Sequence, residues 1–263
     1  MRNFFASQFA VTVLYLVLGQ SADADLIAYE GFDYTSGDEI KTLAGGTGWT
    51  NAWNGDSEIE VGTSGLSYTD SFGNQLEVTG NSAKVDDSSG KKIERTLNFS
   101  GSELWTSFLV QGVTGNDVAN FSLEQKLSVG QGEGDINGSN WTMHDQDGLV
   151  RDSGLAASSS THFIVTLVEF SGGDERAWFW INPDLSSAPA KSDSVNGASG
   201  DSVKDFELTK VQAWLGNPDA TIDEIRLGTT FADVAPFTAI PEPSSLFPLL
   251  LLSALMSTKR RRK

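Results

Sequence analysis

The 263-residue sequence contains no cysteine and only two histidines, His144 and His162. Without cysteine the chain forms no disulfide and offers no thiolate to act as a nucleophile or a metal ligand. No G-x-S-x-G motif occurs, so nothing marks a serine nucleophile. Tetrahedral zinc sites use several histidine or cysteine ligands, so the sequence also argues against a zinc centre. We expect His162, at the start of an apolar strand, to be a satisfied strand-end residue and His144 to face water.

Basic residues are also scarce in this sequence. The chain has 18 Lys and Arg residues against 35 Asp and Glu residues, a formal net charge of -17. Arg2 and residues 259–263 hold part of that small basic complement, so the middle of the chain is more acidic still. A field of this sign repels nucleic-acid phosphates and anionic lipid, and it attracts cations. We therefore expect no nucleic-acid partner and a well solvated acidic surface.

The N-terminal end has the three parts of a secretory signal peptide. Arg2 gives a basic start, residues 4–18 are mostly apolar, and Ala22 and Ala24 supply the small residues of an A-x-A cleavage site. An uncleaved membrane anchor, the alternative, would need about 20 apolar residues, more than this stretch supplies. The sequence therefore predicts a signal helix over residues 1–24, cleavage by signal peptidase after Ala24, and export of the remainder.

The C-terminal end, residues 238–263, is equally distinctive. Its Pro-Glu-Pro tripeptide and its basic end are Pro241, Glu242, Pro243, Lys259, Arg260, Arg261, Arg262 and Lys263. In lipid the apolar segment between them must be helical, because the bilayer offers no partner for bare backbone groups, and the basic end would stay cytoplasmic. Residues 244–258 span about 22 Å as a helix, against a hydrocarbon core of about 30 Å. This hydrophobic helix therefore fits transient membrane insertion better than a permanent tail anchor, which stays the alternative.

The order of tripeptide, apolar segment and basic end at the C-terminus resembles the PEP-CTERM sorting signal. In that family a membrane transpeptidase, an exosortase, cuts at or near the Pro-Glu-Pro tripeptide. The resemblance implies a bacterial protein with an exosortase-type transpeptidase as partner. It also implies delivery to the cell surface, the outer envelope or the extracellular polysaccharide matrix, with the hydrophobic helix in the inner membrane before processing.

The middle of the chain, residues 25–237, indicates an all-β domain. No convincing amphipathic helix occurs there, and short apolar segments alternate with turn signals such as Gly-Gly, Asn-Gly and Asp-Gly. The predicted strands are 26–29, 58–61, 75–78, 92–98, 104–111, 119–128, 141–143, 162–170, 176–181, 206–215 and 221–227. Strand 162–170 is apolar on both faces, so we expect it to be central and covered on both sides. Strand 92–98 should be half-exposed, residues 171–174 a hairpin turn, and residues 184–202 a long loop.

Three segments of this middle region resemble a known fold family. They are the opening Tyr-Glu-Gly-Phe-Asp-Tyr at residues 29–34 with the tryptophans that follow, the segment 171–184, and the closing Ile-Asp-Glu-Ile-Arg-Leu-Gly-Thr at 222–229. Together they look like the LamG-like, concanavalin A-like jelly-roll domains that often accompany PEP-CTERM tails. The resemblance implies two antiparallel sheets packed face to face, with the first and last strands close together.

No catalytic carboxyl pair is apparent in the sequence. Glycoside hydrolysis needs two carboxyls converging on one bond, roughly 5–10 Å apart. Asp223 and Glu224 are adjacent, and neighbours on a regular strand point to opposite faces, so this pair should not converge. The jelly-roll glycosidase pattern E-x-D-x-x-E is also broken, because Thr221 and Arg226 occupy its glutamate positions. We expect a structural role for the two acids, with one pairing to Arg226 or to a neighbouring strand.

Calcium is the more credible ion, and Ca²⁺ is the one candidate cofactor. Asp135 and Asn137, and then Asp145 and Asp147, place oxygen side chains two residues apart in turns, as hard cations require. Neither stretch matches the EF-hand loop. Hairpin turns also use Asp and Asn before Gly, so a purely structural interpretation of these four residues stays open.

Seven tryptophans are the remaining indication of a ligand. Trp49 and Trp53 lie among Gly, Thr and Asn, as in a loop, where an indole could stack on a sugar ring. Trp178 and Trp180 share one face of their strand, and the opposite face is also apolar, so the tryptophan face needs either a cover or a ligand. Buried tryptophan in a core is the competing interpretation at each position.

The sequence therefore favours a non-catalytic surface or matrix protein, not an enzyme, whose jelly-roll domain binds carbohydrate or serves as a structural module. A secreted polysaccharide-active glycosidase or lyase is one alternative, and a protein-binding adhesion module is another. Two carboxyls within about 10 Å in a groove would favour the enzyme. A face of aromatic and amide groups would favour binding.

Overall fold

The computed structural model describes residues 26–85, 89–112, 118–131, 140–216 and 220–239. Their strands, in chain order, are β1 (Leu26–Glu30), β2 (Asn54–Gly55), β3 (Ile59–Val61), β4 (Gln75–Leu76), β5 (Ala83–Val85), β6 (Lys91–Thr96), β7 (Glu103–Gln111), β8 (Ala119–Leu123), β9 (Leu127–Gln131), β10 (Asn140–Asp145), β11 (Val150–Ala156), β12 (His162–Glu169), β13 (Glu175–Ile181), β14 (Asp201–Val203), β15 (Lys210–Leu215), β16 (Thr221–Gly228) and β17 (Phe237–Thr238). One short helix, α1 (Phe231–Val234), and a 3₁₀ turn at Lys191–Asp193 complete the described elements.

Two large antiparallel sheets form a jelly-roll sandwich, as predicted. The first sheet has the strand order β14-β13-β12-β7-β16-β5-β3, with β1 also paired to β16. The second sheet has the order β11-β10-β9-β8-β15-β6-β2, and β4 and β17 form a small separate pair. β1 and β16 are hydrogen-bonded neighbours, so the first and last long strands lie together as the fold resemblance implied.

The core lies between the sheets and is filled by alternate residues of each strand. Phe108 on β7 of the first sheet contacts Phe121 on β8 of the second, with ring centroids 5.4 Å apart. Because side chains on a strand point alternately to opposite faces, the residues between these core positions lie on the outer faces of the sandwich.

The outer face of the first sheet is covered by its own chain. Every residue of β12 except the last is buried, which confirms a central strand covered on both sides. Phe163 and Leu167 belong to a second apolar cluster on this outer side, together with Phe231 of α1 and Leu185 of the 183–200 loop. Burying apolar side chains on both faces stabilises the strand by removing their surface from water.

The structure departs from the predicted strands in several places. The short strands β2, β5, β14 and β17 were not predicted, and β14 begins within the predicted loop 184–202. The single predicted strand 119–128 is the hairpin β8–β9, whose turn residues Glu124 and Gln125 have φ of 52° and 57°. Two successive left-handed residues match the twist of a tight hairpin, but Glu and Gln carry no such signal in a sequence. The exposed strand β11 was also not predicted, since its residues have no apolar alternation.

Both predicted terminal segments fall largely outside the residues that the structure describes. Residues 1–24, predicted as a signal helix, lie outside the described residues, and so do residues 240–263 of the predicted sorting segment. Among the helices within the described ranges, none has the length and hydrophobicity that crossing a bilayer requires.

Candidate functional site

The outer face of the second sheet carries two rows of mostly polar side chains, which we call the polar face. Strand register defines both rows, because directly paired residues point to the same side of a sheet. Row one is Lys92, Trp214, Asn120, Gly130, Thr142 and Asp152. Row two is Glu94, Gln212, Ser122, Ser128, His144 and Val150. The first sheet and α1 both lie on the other side of the core, so neither covers this face.

The centre of the polar face combines polar chemistry with strong burial. Asn120 is 3 % exposed and Thr142 is 2 % exposed, and the Gln212 amide lies between Ser122 and Glu94. An interior-like position normally favours apolar residues, and polar groups there need hydrogen-bond partners. This face is therefore unlike the outer side of the first sheet, which is apolar and covered.

Trp214 is the one aromatic residue in the two rows. Its indole is half-buried, and the Lys92 Nζ lies 4.0 Å from the ring centroid. Gly90 passes beside the ring, where a Cβ would fall 2.2 Å from Nε1, so a larger residue would displace the indole. The Trp214 Nε1 atom is buried and has no hydrogen-bond partner, and the same is true of Asn120 Nδ2.

Gly130 interrupts row one between Asn120 and Thr142. Its φ is +152°, and a Cβ there would lie 2.3 Å from the Ala119 carbonyl oxygen and 2.5 Å from the Asn120 Cβ. Thr142 donates its hydroxyl to the Gly130 carbonyl at 3.2 Å, which fixes the threonine side chain over the gap. The absence of a side chain at this point lets Ala119 and Asn120 of β8 approach the backbone of β9 closely.

The two carboxylates of the polar face each accept a hydrogen bond from a neighbouring side chain, and they lie far from each other. Glu94 accepts a hydrogen bond from Lys210 Nζ at 3.1 Å, and Asp152 accepts one from Asn140 Nδ2 at 2.9 Å. Glu94 lies on β6 and Asp152 on β11. Five strand-to-strand spacings separate these two strands in the sheet, which places the two acids about 24 Å apart. Two glycosidase carboxyls lie within about 10 Å of each other, so these two acids cannot act on one bond.

The adjacent acids Asp223 and Glu224 lie on the first sheet and are structural. A β-bulge at this point, with Glu224 at φ 53°, breaks the regular alternation that the sequence argument assumed. Asp223 accepts hydrogen bonds from the backbone of Leu66 and Glu224, both at 2.7 Å. Glu224 accepts one from the backbone of Thr79 at 2.7 Å and forms an ion pair with Arg226 at 2.5 Å, which confirms the expected pairing.

Both acids are inaccessible to substrate. Their side chains are fully buried beneath residues 66–79, and each carboxylate is occupied by protein donors. Burial raises the pKa of Asp223 to about 9, and it also raises the pKa of Glu224 against the opposing charge of Arg226. The buried Asp223 and Glu224 side chains therefore stabilise the bulge and cannot reach a glycosidic bond.

The loop tryptophans lie in packing contacts rather than on the surface. Trp53 is 2 % exposed, stacks on Phe32 with centroids 6.0 Å apart, and donates Nε1 to Glu30 Oε2 at 2.9 Å. Trp49 is half-buried and donates Nε1 to the Tyr29 carbonyl at 2.9 Å. The loop folds back on the core, so the predicted ligand contact is not supported at Trp53.

The 183–200 loop covers Trp178 and Trp180 on the face where a ligand was predicted. Each is 3 % exposed, and each donates its indole N–H to the 183–200 loop, Trp178 to Ala198 at 3.3 Å and Trp180 to Ala190 at 3.2 Å. Trp180 also stacks on Trp105, with centroids 5.6 Å apart. The alternation predicted the shared face correctly, but the predicted sugar contact fails because the loop occupies that face.

The candidate calcium residues divide between described and undescribed parts of the chain. Asp135 and Asn137 lie outside the described residues. Asp145 Oδ1 accepts from the backbone N–H of Asp147 at 3.0 Å and of Leu149 at 2.9 Å, which is the geometry of a turn. Within the described ranges, no three His, Asp or Glu side chains are grouped as metal ligands.

The remaining sequence candidates are also accounted for. The His162 ring contacts Ser158 Oγ and Asn182 Nδ2, both at 3.1 Å, and burial lowers its pKa, which confirms a satisfied strand-end residue. The processing residues Ala22, Ala24 and 241–243 lie outside the described residues, as does the basic end 259–263.

Several clefts lie away from the polar face. One, of about 480 Å³, is bordered by Leu155, Trp180, Pro183 and Pro189. Another, of about 490 Å³, lies between Leu185, Phe231 and Phe237 on the covered side of the first sheet. Both are mainly apolar in their lining side chains, with a few hydroxyl groups among them. A smaller cleft of about 360 Å³ is lined mostly by polar side chains, among them Ser64, Gln111 and Thr221, but no described residue in its lining has an aromatic side chain for a sugar ring to stack on.

The polar face was missed by sequence reasoning. Its residues come from segments around 92, 120, 142 and 212, and only the strand register brings them together. The alternation within each strand is a usable signal, since polar residues at 120 and 122 alternate with Phe121. Which strands pair, and therefore which polar residues become neighbours, is set by the tertiary fold.

Comparisons with known proteins are limited to distant structural likenesses. No family model matches the chain, and no curated protein matches it. Domain 4 of AbnA, a GH43 extracellular arabinanase from Geobacillus stearothermophilus, is similar at 13 % identity and TM-score 0.43, over 81 % of this chain and 97 % of that one. An endo-1,3-beta-glucanase from Streptomyces sioyaensis is similar at 13 % identity and TM-score 0.34, over 76 % and 88 %. The VIP36 exoplasmic/lumenal domain is similar at 10 % identity and TM-score 0.34, over 76 % and 93 %. The jelly-roll assignment rests on the two sheets themselves.

Proposed function

We propose that this chain is a non-catalytic carbohydrate-binding protein and that the polar face of the second sheet is its binding surface. The observation that carries the proposal is the alignment of amide, hydroxyl and indole groups in two rows across a sheet face that neither the other sheet nor α1 covers. Sugar rings present hydroxyls that pair with amides and hydroxyls, and a flat C–H surface that packs on an indole. The face supplies both kinds of partner.

Binding is favoured over hydrolysis by the carboxylates. Glu94 and Asp152 are each engaged and lie about 24 Å apart on the sheet. The Asp223–Glu224 pair is buried on the other sheet and occupied by backbone donors. Neither pair can place an acid and a base on opposite sides of one glycosidic bond.

We also propose that the protein is exported and sorted to the cell surface or the extracellular matrix. The support is the sequence of the two ends: a signal peptide over 1–24, then Pro241-Glu242-Pro243 with its apolar segment and basic end. Mass spectrometry of the protein from its native cells tests this. A chain that begins at Asp25 and ends near the tripeptide is expected, and one that still runs from Met1 to Lys263 would overturn the proposal.

A glycan array combined with a reducing-sugar assay tests the binding function. The full chain should bind at least one oligosaccharide and release no reducing ends from it. Trp214→Ala should weaken binding about tenfold, since it removes the stacking surface. Phe72→Ala is the matched control, because Phe72 is an aromatic residue 73 % exposed in a turn away from the polar face.

A second variant separates binding from folding. Gln212→Ala removes an amide from row two and leaves the indole in place, so it should also weaken binding while the unfolding transition is retained. Absence of binding to every glycan, or release of reducing ends from the bound one, would overturn the proposed function.

A further inference from the structure

We infer that the polar face takes acidic sugars, and that the end of row one formed by Lys92, Trp214 and Asn120 binds the carboxylate of a uronic acid residue. This inference rests on the proposed carbohydrate-binding function and names its ligand class. Two side-chain N–H groups without acceptors and the Lys92 ammonium group support it.

The first observation is a pair of buried donors without acceptors. Trp214 and Asn120 are directly paired across β15 and β8, and Trp214 Nε1 and Asn120 Nδ2 are both buried without a hydrogen-bond partner. A buried N–H that lacks an acceptor destabilises the folded chain, so such groups in native proteins require an explanation. A ligand that brings oxygen acceptors to this point removes the penalty.

The second observation is the position of Lys92. It is the next residue of row one beyond Trp214, and its Nζ lies 4.0 Å from the indole centroid. Within the described ranges Lys92 forms no ion pair, whereas neighbouring Lys91 pairs with Glu58 and Lys210 pairs with Glu94. A cation over an indole face retains its capacity to bind an anion, because the ring does not neutralise its charge.

The third observation is that row one has no acidic residue at this end, although the Asp56 carboxylate accepts a hydrogen bond from the Lys92 backbone at 2.7 Å. Its acid, Asp152, is at the opposite end on β11, and Glu94 in row two is already occupied by Lys210. Two neutral N–H groups and an ammonium group suit an anionic acceptor with more than one oxygen. A carboxylate meets that requirement, whereas a neutral hydroxyl or amide would leave the lysine charge without a partner.

The acidity of the whole chain does not exclude this ligand. The formal net charge of -17 opposes a polyanion at long range. At physiological salt, charges more than about 8 Å away are largely screened, so the electrostatic effect on a bound ligand comes mainly from the nearby groups. Those nearest to this end are Lys92, Lys210, Glu94 and Asp56, whose formal charges cancel, so the local field does not oppose an anion as the whole chain does.

The test is isothermal titration calorimetry of the full chain with oligouronates and their carboxyl-reduced counterparts. The probes are oligomers of galacturonate, mannuronate, guluronate and glucuronate, each paired with the neutral sugar that carboxyl reduction produces. At least one oligouronate should bind about tenfold more tightly than its reduced form, as expected for a charge-assisted contact. Lys92→Gln should remove most of that difference. Lys126→Gln is the matched control, because Lys126 lies in the β8–β9 turn and bonds to Gln146.

The possible outcomes separate the inference from the function on which it rests. If neutral glycans bind and carboxyl reduction changes affinity less than about threefold, the acidic-sugar inference is wrong while the binding function stands. If an acidic preference exists but Lys92→Gln keeps it, the assignment to this end of row one is wrong. If none of these sugars and no glycan on the array binds, the proposed function itself fails.

Discussion

Glu30 and Arg95 form a buried ion pair that joins the two sheets. Glu30 ends β1 on the first sheet, Arg95 lies on β6 of the second, and Glu30 Oε2 and Arg95 Nη1 are 2.5 Å apart with both side chains at most 2 % exposed. Glu30 also accepts hydrogen bonds from Tyr34 at 2.8 Å and Trp53 at 2.9 Å, and Arg95 donates to the Gly45 carbonyl at 2.7 Å. The pair therefore fixes the 31–53 loop across one edge of the sandwich.

Removing one partner of this pair should be strongly destabilising. Arg95→Met leaves the Glu30 charge buried without its cation, and such losses typically cost about 3–5 kcal/mol. Urea unfolding followed by tryptophan fluorescence measures the change. Lys204→Gln serves as the control, because Lys204 and Asp174 form an exposed pair at 3.6 Å. Its midpoint should match that of the unmodified chain, and an equally stable Arg95→Met variant would contradict the prediction.

Asp223 should make stability fall as the pH rises above neutral. Burial raises its pKa to about 9 from an ordinary value of 3.8, so the folded chain holds a proton that the unfolded chain releases. The unfolding free energy therefore decreases as pH rises between about 4 and about 9. His162, with its pKa lowered by burial, titrates below neutrality and does not oppose this trend above about pH 7.

Urea midpoints at about pH 7, 8 and 9 test the effect of Asp223. The midpoint should fall across this range in the unmodified chain. In Asp223→Asn the fall should be much smaller, whatever the overall stability of the variant, since an amide does not titrate. A midpoint that is constant or rises with pH in the unmodified chain would show that Asp223 is ionised in the fold.

Gly130 should tolerate no side chain. A Cβ at this position would lie 2.3 Å from the Ala119 carbonyl oxygen, and its φ of +152° disfavours other residues. Gly130→Ala should cost more than about 2 kcal/mol in thermal or urea unfolding. Gly172→Ala gives a comparison, since Gly172 also has positive φ, +74°, but nothing lies within 4 Å of its Cβ position. Equal losses for the two variants would mean that the close approach at Gly130 is unimportant.

Trp180 should matter for stability and not for binding. It is 3 % exposed between Trp105 and the 183–200 loop, so Trp180→Ala should cost about 3–5 kcal/mol through the cavity it leaves. Glycan affinity, measured where the variant is still folded, should stay within about twofold of the unmodified value. A large loss of affinity without loss of stability would place a ligand on the first sheet.

Local periodicity made the first sheet predictable. Residues 162–170 carry mostly apolar side chains on both faces, and β12 is indeed covered on both sides. Trp178 and Trp180 alternate with Phe179, so their common face could be predicted from spacing alone. Whether that face meets a loop or a ligand depends on where Ala190 and Ala198 fold, and no local pattern contains that information.

The features that could not be predicted depend on strained backbone or on distant pairings. Glu224 adopts a left-handed conformation at a bulge, and a hydrogen bond from the Thr79 backbone to its carboxylate stabilises it there. The polar face requires Trp214 to pair with both Lys92 and Asn120, which are distant in the sequence. Register of this kind is fixed by the packing of the whole sandwich, because every strand must keep its apolar residues in the core.

Chemical-shift mapping of the labelled chain with the best-binding glycan is the most direct measurement of where ligand binds. We expect the perturbed signals to lie in the two rows of the second sheet, including the Trp214 indole N–H, the Asn120 side-chain amide and the Thr142 backbone. Perturbations centred on the cleft beside Leu155 and Pro183, with the Trp214 indole signal unchanged, would contradict the assignment of the polar face as the binding surface.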